Sequence, residues 1–95
     1  MIKVKVKTIL DFKIILGGKE EQYIEIKKDS TLEDLLNLLS DKYKDLTKEI
    51  YTDNNDIKES IAFLHNGVNI FAKEGLNTKL KDGDSILMFP PVGGG

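Results

Sequence analysis

Ninety-five residues, 40% apolar and 32% charged, suit one small soluble domain with a single core and leave little room for a deep catalytic cleft. A formal net charge of -2 argues against a general nucleic-acid binder. The absence of Cys excludes a disulfide framework, a thiolate metal site and a cysteine-borne thioester on this chain. All fourteen basic residues are Lys, so the planar, bidentate grip that Arg gives on phosphate or carboxylate is missing. Lys residues interrupt the apolar positions from Lys3 onward. Neither a signal peptide nor a membrane span is visible, and the expected compartment is the cytoplasm.

The first segment, MIKVKVKTIL, alternates strictly. Ile2, Val4 and Val6 fall on one face of a strand and Lys3, Lys5 and Lys7 on the other. DFKIIL fits either a short helical turn or a continuing strand, and Gly17-Gly18 marks a turn. QYIEIKK reads as a second strand with Ile24 and Ile26 inward. DSTLEDLLNLLSDKY is a helix: Leu32, Leu35, Leu36 and Leu39 form one apolar stripe that Tyr43 extends. Its start offers two capping boxes, Ser30 with Glu33 and Thr31 with Asp34. Residues 44–58 are polar, with a short helix around Leu46 to Tyr51 and a turn at Asn54-Asn55. SIAFLHNGVNIF reads as a hairpin, because Asn66-Gly67 suits the two positive-φ positions of a type I′ turn. LKDGDSILMF gives a turn at Asp82-Gly83 and a last strand, with Ile86 and Met88 on one face and Leu87 and Phe89 on the other. One main helix and four or five strands predict an α+β domain, a mixed sheet with the helix on one face. The first and last strands are apolar enough to be central.

Most chemistry-bearing motifs are missing. There is no phosphate loop, no dinucleotide fingerprint and no serine elbow. His65 is the only histidine; without a second His or a Cys it reads as structural. DNND at 53–56 lacks the Gly and closing Glu of a calcium loop and reads as a solvated loop. Lys3, Lys5 and Lys7 make a basic stripe, either a plain solvated face or a docking stripe for an acidic partner. Leu87 and Phe89, beside Pro90, Pro91 and Val92, form a candidate apolar patch. The two prolines lack N–H donors and end the sheet. Past them, Gly93, Gly94 and Gly95 carry no β-carbon, so the segment suits a narrow channel and leaves the Gly95 carboxylate open to attack. That carboxylate is the best candidate for a reacting group.

LKDGDSILMFPPVGGG, residues 80–95, resembles the ending of the β-grasp sulfur carriers related to ubiquitin: a DGD turn, a last strand, FPPV and final glycines. HNG at 65–67 resembles the family's strand-ending VNG, and MIKVKVK and DSTLEDLL resemble its first strand and helix start. The likeness is greatest to the small, MoaD-type subunit of molybdopterin synthase, with the thiamine sulfur carrier ThiS more distant. It implies a ubiquitin-like β-grasp domain over residues 1–90 and a flexible Gly-rich tail over 91–95. Lys5 and Lys7 stand where some members have apolar residues, and His65 replaces a usually aliphatic one.

The resemblance also implies a role. The Gly95 carboxylate would be adenylated with ATP by a ubiquitin-activating-type enzyme and converted to a thiocarboxylate. The tail, through Gly93 and Gly94, would thread the active site of the large, MoaE-type synthase subunit and donate sulfur in molybdopterin biosynthesis for a molybdenum or tungsten cofactor. Leu87, Phe89, Pro90, Pro91 and Val92, with Lys5 and Lys7, would contact partners. The chain would be a carrier and non-catalytic subunit that binds no cofactor, metal, nucleic acid or membrane. The alternatives are a ubiquitin-like modifier joined through Gly95 to lysines of target proteins, or a non-reacting β-grasp binding module.

Overall fold

A computed structural model describes residues 1–54, 56–58, 60–72 and 74–89. The chain runs β1 (Ile2–Thr8), α1 (Leu10–Ile15), β2 (Glu21–Ile26), α2 (Leu32–Lys42), α3 (Leu46–Ile50), β3 (Ala62–His65), β4 (Val68–Asn69) and β5 (Ser85–Phe89). Two 3₁₀ turns, Ile70–Ala72 and Gly75–Asn77, lie between β4 and β5. The sheet has five strands in the order β2-β1-β5-β3-β4. β1 pairs antiparallel with β2 and parallel with β5, while β3 pairs antiparallel with both β4 and β5. The sheet is therefore mixed, and the first and last strands are both interior.

Strict alternation in β1 gives one buried face. Val4 and Val6 are buried and Ile2 is packed against the core, while Lys3, Lys5 and Lys7 point the other way. β2 repeats the pattern with Ile24 and Ile26, β3 with Phe63, and β5 with Ile86 and Met88. Helix α2 closes this face with Leu32, Leu35, Leu36 and Leu39, all fully buried. At about 1.5–3 kcal/mol for burying one such side chain, this stripe is a major apolar contribution to the fold. Tyr43 is partly buried against the core, and its hydroxyl donates to the Gln22 side-chain carbonyl at 3.2 Å, which ties the end of α2 to β2.

Of the two capping boxes, the chain uses Thr31 with Asp34. The Asp34 amide donates to Thr31 Oγ1 at 3.3 Å, and the Thr31 amide to Asp34 Oδ2 at 2.9 Å. Ser30 is instead buried, and its carbonyl accepts from the Leu80 amide at 2.9 Å. DFKIIL is helical: α1 buries Phe12, and Leu16 behind it is fully buried. Gly17 and Gly18, at φ 86° and 82°, then reverse the chain into β2. The short helix in the polar stretch is present as α3, held by buried Leu46 and Ile50. In the β3–β4 hairpin, Asn66 and Gly67 have φ of 51° and 86°, as the type I′ turn requires. Asn54 lies in a turn, and Asn55 falls outside the described residues. No described helix is long and apolar enough to cross a membrane.

Candidate functional site

β5 lies between β1 and β3 at the middle of the sheet. Its register sets Lys7 beside Leu87 on one flank and Leu64 beside Leu87 on the other; Phe89 lies beside Ala62. Residues directly opposite in a ladder share a face. Ala62, Leu64, Leu87 and Phe89 therefore form one half-buried apolar patch on the face turned away from α2. Lys5 and Lys7 border it along β1. This is the face expected for Leu87 and Phe89. Ala62 and Leu64 join it from β3, which the sequence alone does not show. The alternation of SIAFLH around Phe63 carries their face, but only the β3–β5 register brings them beside Leu87 and Phe89.

The basic stripe on β1 lies against side chains of β2. Lys3, Lys5 and Lys7 do share the outer face, but β2 answers them residue for residue: Lys3 lies opposite Glu25, Lys5 opposite Tyr23 and Lys7 opposite Glu21. Lys7 Nζ is 3.6 Å from Glu21 Oε1, and Lys5 Nζ lies 5.8 Å from the centre of the Tyr23 ring. The outer face is thus an apolar patch bordered by lysines, of which Lys7 is paired with Glu21 and Lys5 lies over Tyr23.

The start of β5 is fixed by the two turn motifs. Asp82 Oδ1 accepts from the Lys3 amide at 2.8 Å, the Gly83 amide donates to the Lys3 carbonyl at 2.9 Å, and the Lys5 amide donates to the Asp84 carbonyl at 2.8 Å. Gly83 has φ 87°, a conformation that favours glycine. The Asp84 carboxylate is buried and collects three partners: the Lys81 amide at 2.8 Å, Asn66 Nδ2 at 3.0 Å and His65 Nε2 at 2.7 Å. Asn66 in turn accepts from the Ser85 amide at 2.8 Å through its side chain, and its own amide donates to the Ser85 carbonyl at 2.9 Å. Burial pushes the Asp84 carboxyl up, but hydrogen bonds from Asn66, His65 and the Lys81 amide outweigh it, and the group sits below the usual carboxylate range. His65 is thereby structural. It joins the hairpin turn to the DGD turn at the start of β5.

Beyond Phe89, the candidates Pro90, Pro91, Val92, Gly93, Gly94 and Gly95 lie outside the described residues. The direction in which β5 runs is nevertheless set. Because β1 and β5 are parallel, both finish on the same rim of the sheet, next to the start of β3. That rim also carries the start of α1. Leu10 there is exposed and has φ 55°, a left-handed conformation that costs a leucine about 1–2 kcal/mol. Among the described residues no three His, Cys, Asp or Glu side chains gather as a metal site would require.

A β-grasp sheet carrying HNG and DGD turns and a last strand that runs into PPVGGG has relatives. The model of the ThiS family matches residues 12–95. The chain belongs to the ThiS family. It is 33% identical over 78 residues to small archaeal modifier protein 3 of Haloferax volcanii, covering 82% of this chain and 84% of that protein. Among solved structures, small archaeal modifier protein 1 of Methanosarcina acetivorans is 36% identical with a TM-score of 0.84, over 100% of this chain and 98% of the other. A putative molybdopterin converting factor subunit 1 from Pyrococcus furiosus is 28% identical with a TM-score of 0.77, over 97% and 100%. The ubiquitin-like β-grasp is thus the fold of this ThiS-family chain, as the resemblance implied.

Proposed function

We propose that this chain is a ubiquitin-like sulfur carrier whose reacting group is the Gly95 carboxylate. An adenylating enzyme of the ubiquitin-activating type joins the carboxylate to the α-phosphate of ATP and releases pyrophosphate. Hydrosulfide then displaces AMP, the acyl–oxygen bond to the phosphate breaking as the acyl–sulfur bond forms, and the product is a C-terminal thiocarboxylate; a persulfide donor reaches the same product through an acyl disulfide that a second thiol reduces. The observation that carries this reading is that the family match extends through Gly95 and includes the whole FPPVGGG segment. The outer patch of Ala62, Leu64, Leu87 and Phe89 lies on the strands that flank the exit of that segment, and it supplies the docking surface that both the activating enzyme and a sulfur acceptor need. ATP belongs to the activating enzyme; the chain contributes the acyl group, takes no catalytic part of its own and works in the cytoplasm. The likeness to the Pyrococcus protein supports a large, MoaE-type subunit as partner and a pterin precursor as acceptor in molybdopterin synthesis.

A second reading shares the same first step. The relatives described above at 33% and 36% identity carry the name of modifier proteins, which favours attack on the adenylate, or on a thioester of a partner enzyme, by a target lysine. Incubation with a cognate activating enzyme, ATP and a sulfur donor separates the fates. Replacement of one oxygen by sulfur at Gly95, with no heavier species in lysate, marks transfer. A ladder of heavier bands resistant to reducing agent marks conjugation. Neither product, under conditions where the activating enzyme turns over another carrier, removes both.

A further inference from the structure

Strand β2 ends the sheet order, so among the described residues it pairs on one side only. Its open side can be resolved group by group. The Thr8 amide donates to the Glu20 carbonyl at 2.9 Å, which sets the parity of the β1–β2 ladder. By that parity Gln22, Ile24 and Ile26 exchange hydrogen bonds with Val6, Val4 and Ile2. The N–H and C=O groups of Glu21, Tyr23 and Glu25 then point away from β1. The Lys5 amide confirms the parity, because it donates to Asp84 on the other flank of β1 and not to Tyr23.

The same three residues place their side chains on the outer face, and Tyr23 is 61% exposed. The open edge therefore offers six backbone groups beneath a row reading acidic, aromatic, acidic. The strand that this row accepts is visible on its other side. β1 sets Lys7, Lys5 and Lys3 against Glu21, Tyr23 and Glu25, with the Lys7–Glu21 ion pair and the Lys5 ammonium over the Tyr23 ring. A second copy paired symmetrically about Tyr23 does not fit. A two-fold pairing centred on Tyr23 sets each Glu21 opposite the Glu25 of the other copy, and like charges directly opposite destabilise a ladder.

We propose that the open edge of β2 docks an extended segment of another protein that carries Lys or Arg at alternate positions, adding antiparallel to Glu21–Ile26. Main-chain hydrogen bonds hold it, and Glu21 and Glu25 select its basic residues. This edge is separate from the apolar patch on β3 and β5, and the proposal does not rest on the reaction at Gly95.

The test is a titration of the ¹⁵N-labelled full chain with the acetylated, amidated peptide KVKVKT, against the control EVEVET. The expected result is shift changes and slowed amide exchange at Glu21, Tyr23 and Glu25, with the control binding about tenfold more weakly. Tyr23→Pro removes an N–H that β1 does not use, so it should abolish binding while the thermal midpoint holds. Glu21→Lys with Glu25→Lys should reverse the preference between the peptides. Equal affinity for both peptides overturns the proposal. So does binding that survives Tyr23→Pro, shifts centred on Leu64 and Leu87, silence of β2 up to millimolar peptide, or a dimer of the free chain paired through β2.

Discussion

The two faces of the sheet are built by the same strands and obey different rules. Toward α2 stand Val4, Val6, Ile24, Ile26, Phe63, Ile86 and Met88, all buried. On the opposite face stand Lys3, Lys5, Lys7, Glu21, Tyr23, Glu25, Leu64, Leu87 and Phe89, none of them buried. One residue along any strand separates the two sets. The inner face is committed to stability, so its tolerance is set by packing. The outer face contributes little to stability and is free to carry recognition. If that division holds, substitutions on the two faces separate into those that unfold the chain and those that only disconnect it from partners.

The largest effect should come from the inner face. Phe63→Ala empties a fully buried site in β3 and should cost about 3–5 kcal/mol in urea unfolding, a large share of a small domain's stability. A loss below about 1 kcal/mol would break the comparison at its base. Next comes the clasp between the turns. Asp84→Ala leaves the Lys81 amide, Asn66 and His65 without their shared acceptor and should cost roughly 1–3 kcal/mol. The clasp also predicts an acid response. The folded Asp84 carboxyl is depressed, so its stabilisation is complete above the unfolded pKa of about 3.9 and fades as pH falls through the folded value. Unfolding curves from neutral pH down to acid should converge for wild type and Asp84→Ala, and parallel curves would contradict the clasp.

Thr31→Ala should cost about 1 kcal/mol through the lost cap of α2. The equivalent effect from a capping loss at Ser30, with none at Thr31, would reassign the box. On the outer face, Leu87→Ser should move stability by no more than about 1 kcal/mol, because the side chain is only half-buried. Its effect should appear in surface plasmon resonance against the activating enzyme, as a loss on the order of tenfold in affinity. Smallest of all is Lys7→Gln, whose ion pair with Glu21 is half in solvent and should be worth under about 1 kcal/mol.

Local pattern carried much of this organisation. Alternation in β1, β2 and β5, the leucine stripe of α2 and the Asn66-Gly67 turn could all be read from neighbours a few residues apart, because period and turn chemistry are local properties. The choice between the two capping boxes was not local. Ser30 is held through its carbonyl by the Leu80 amide, fifty residues away, and the cap falls to Thr31. DFKIIL was ambiguous for a related reason: burial of Phe12 and Leu16 decides that it is helix, and periodicity over six residues does not. The apolar patch was half legible. Leu87 and Phe89 stood out beside the prolines, whereas Leu64 and Ala62 join them only through the register of an antiparallel pair far apart in the chain. The placement of Glu25, Tyr23 and Glu21 opposite Lys3, Lys5 and Lys7 was also a matter of register, and so was the tie from His65 to Asp84 across 19 residues.

The chemistry at the end of the chain is open to one direct measurement. The protein recovered from its own host, in free and conjugated pools, is cleaved and the mass of its C-terminal peptide is read. A reacting Gly95 carboxylate should yield a fraction in which sulfur replaces one oxygen at Gly95, or a branched peptide in which Gly95 is joined to a lysine. Only the unmodified carboxylate in both pools, with a Gly94–Gly95 deletion that leaves the cell unaffected, would contradict it.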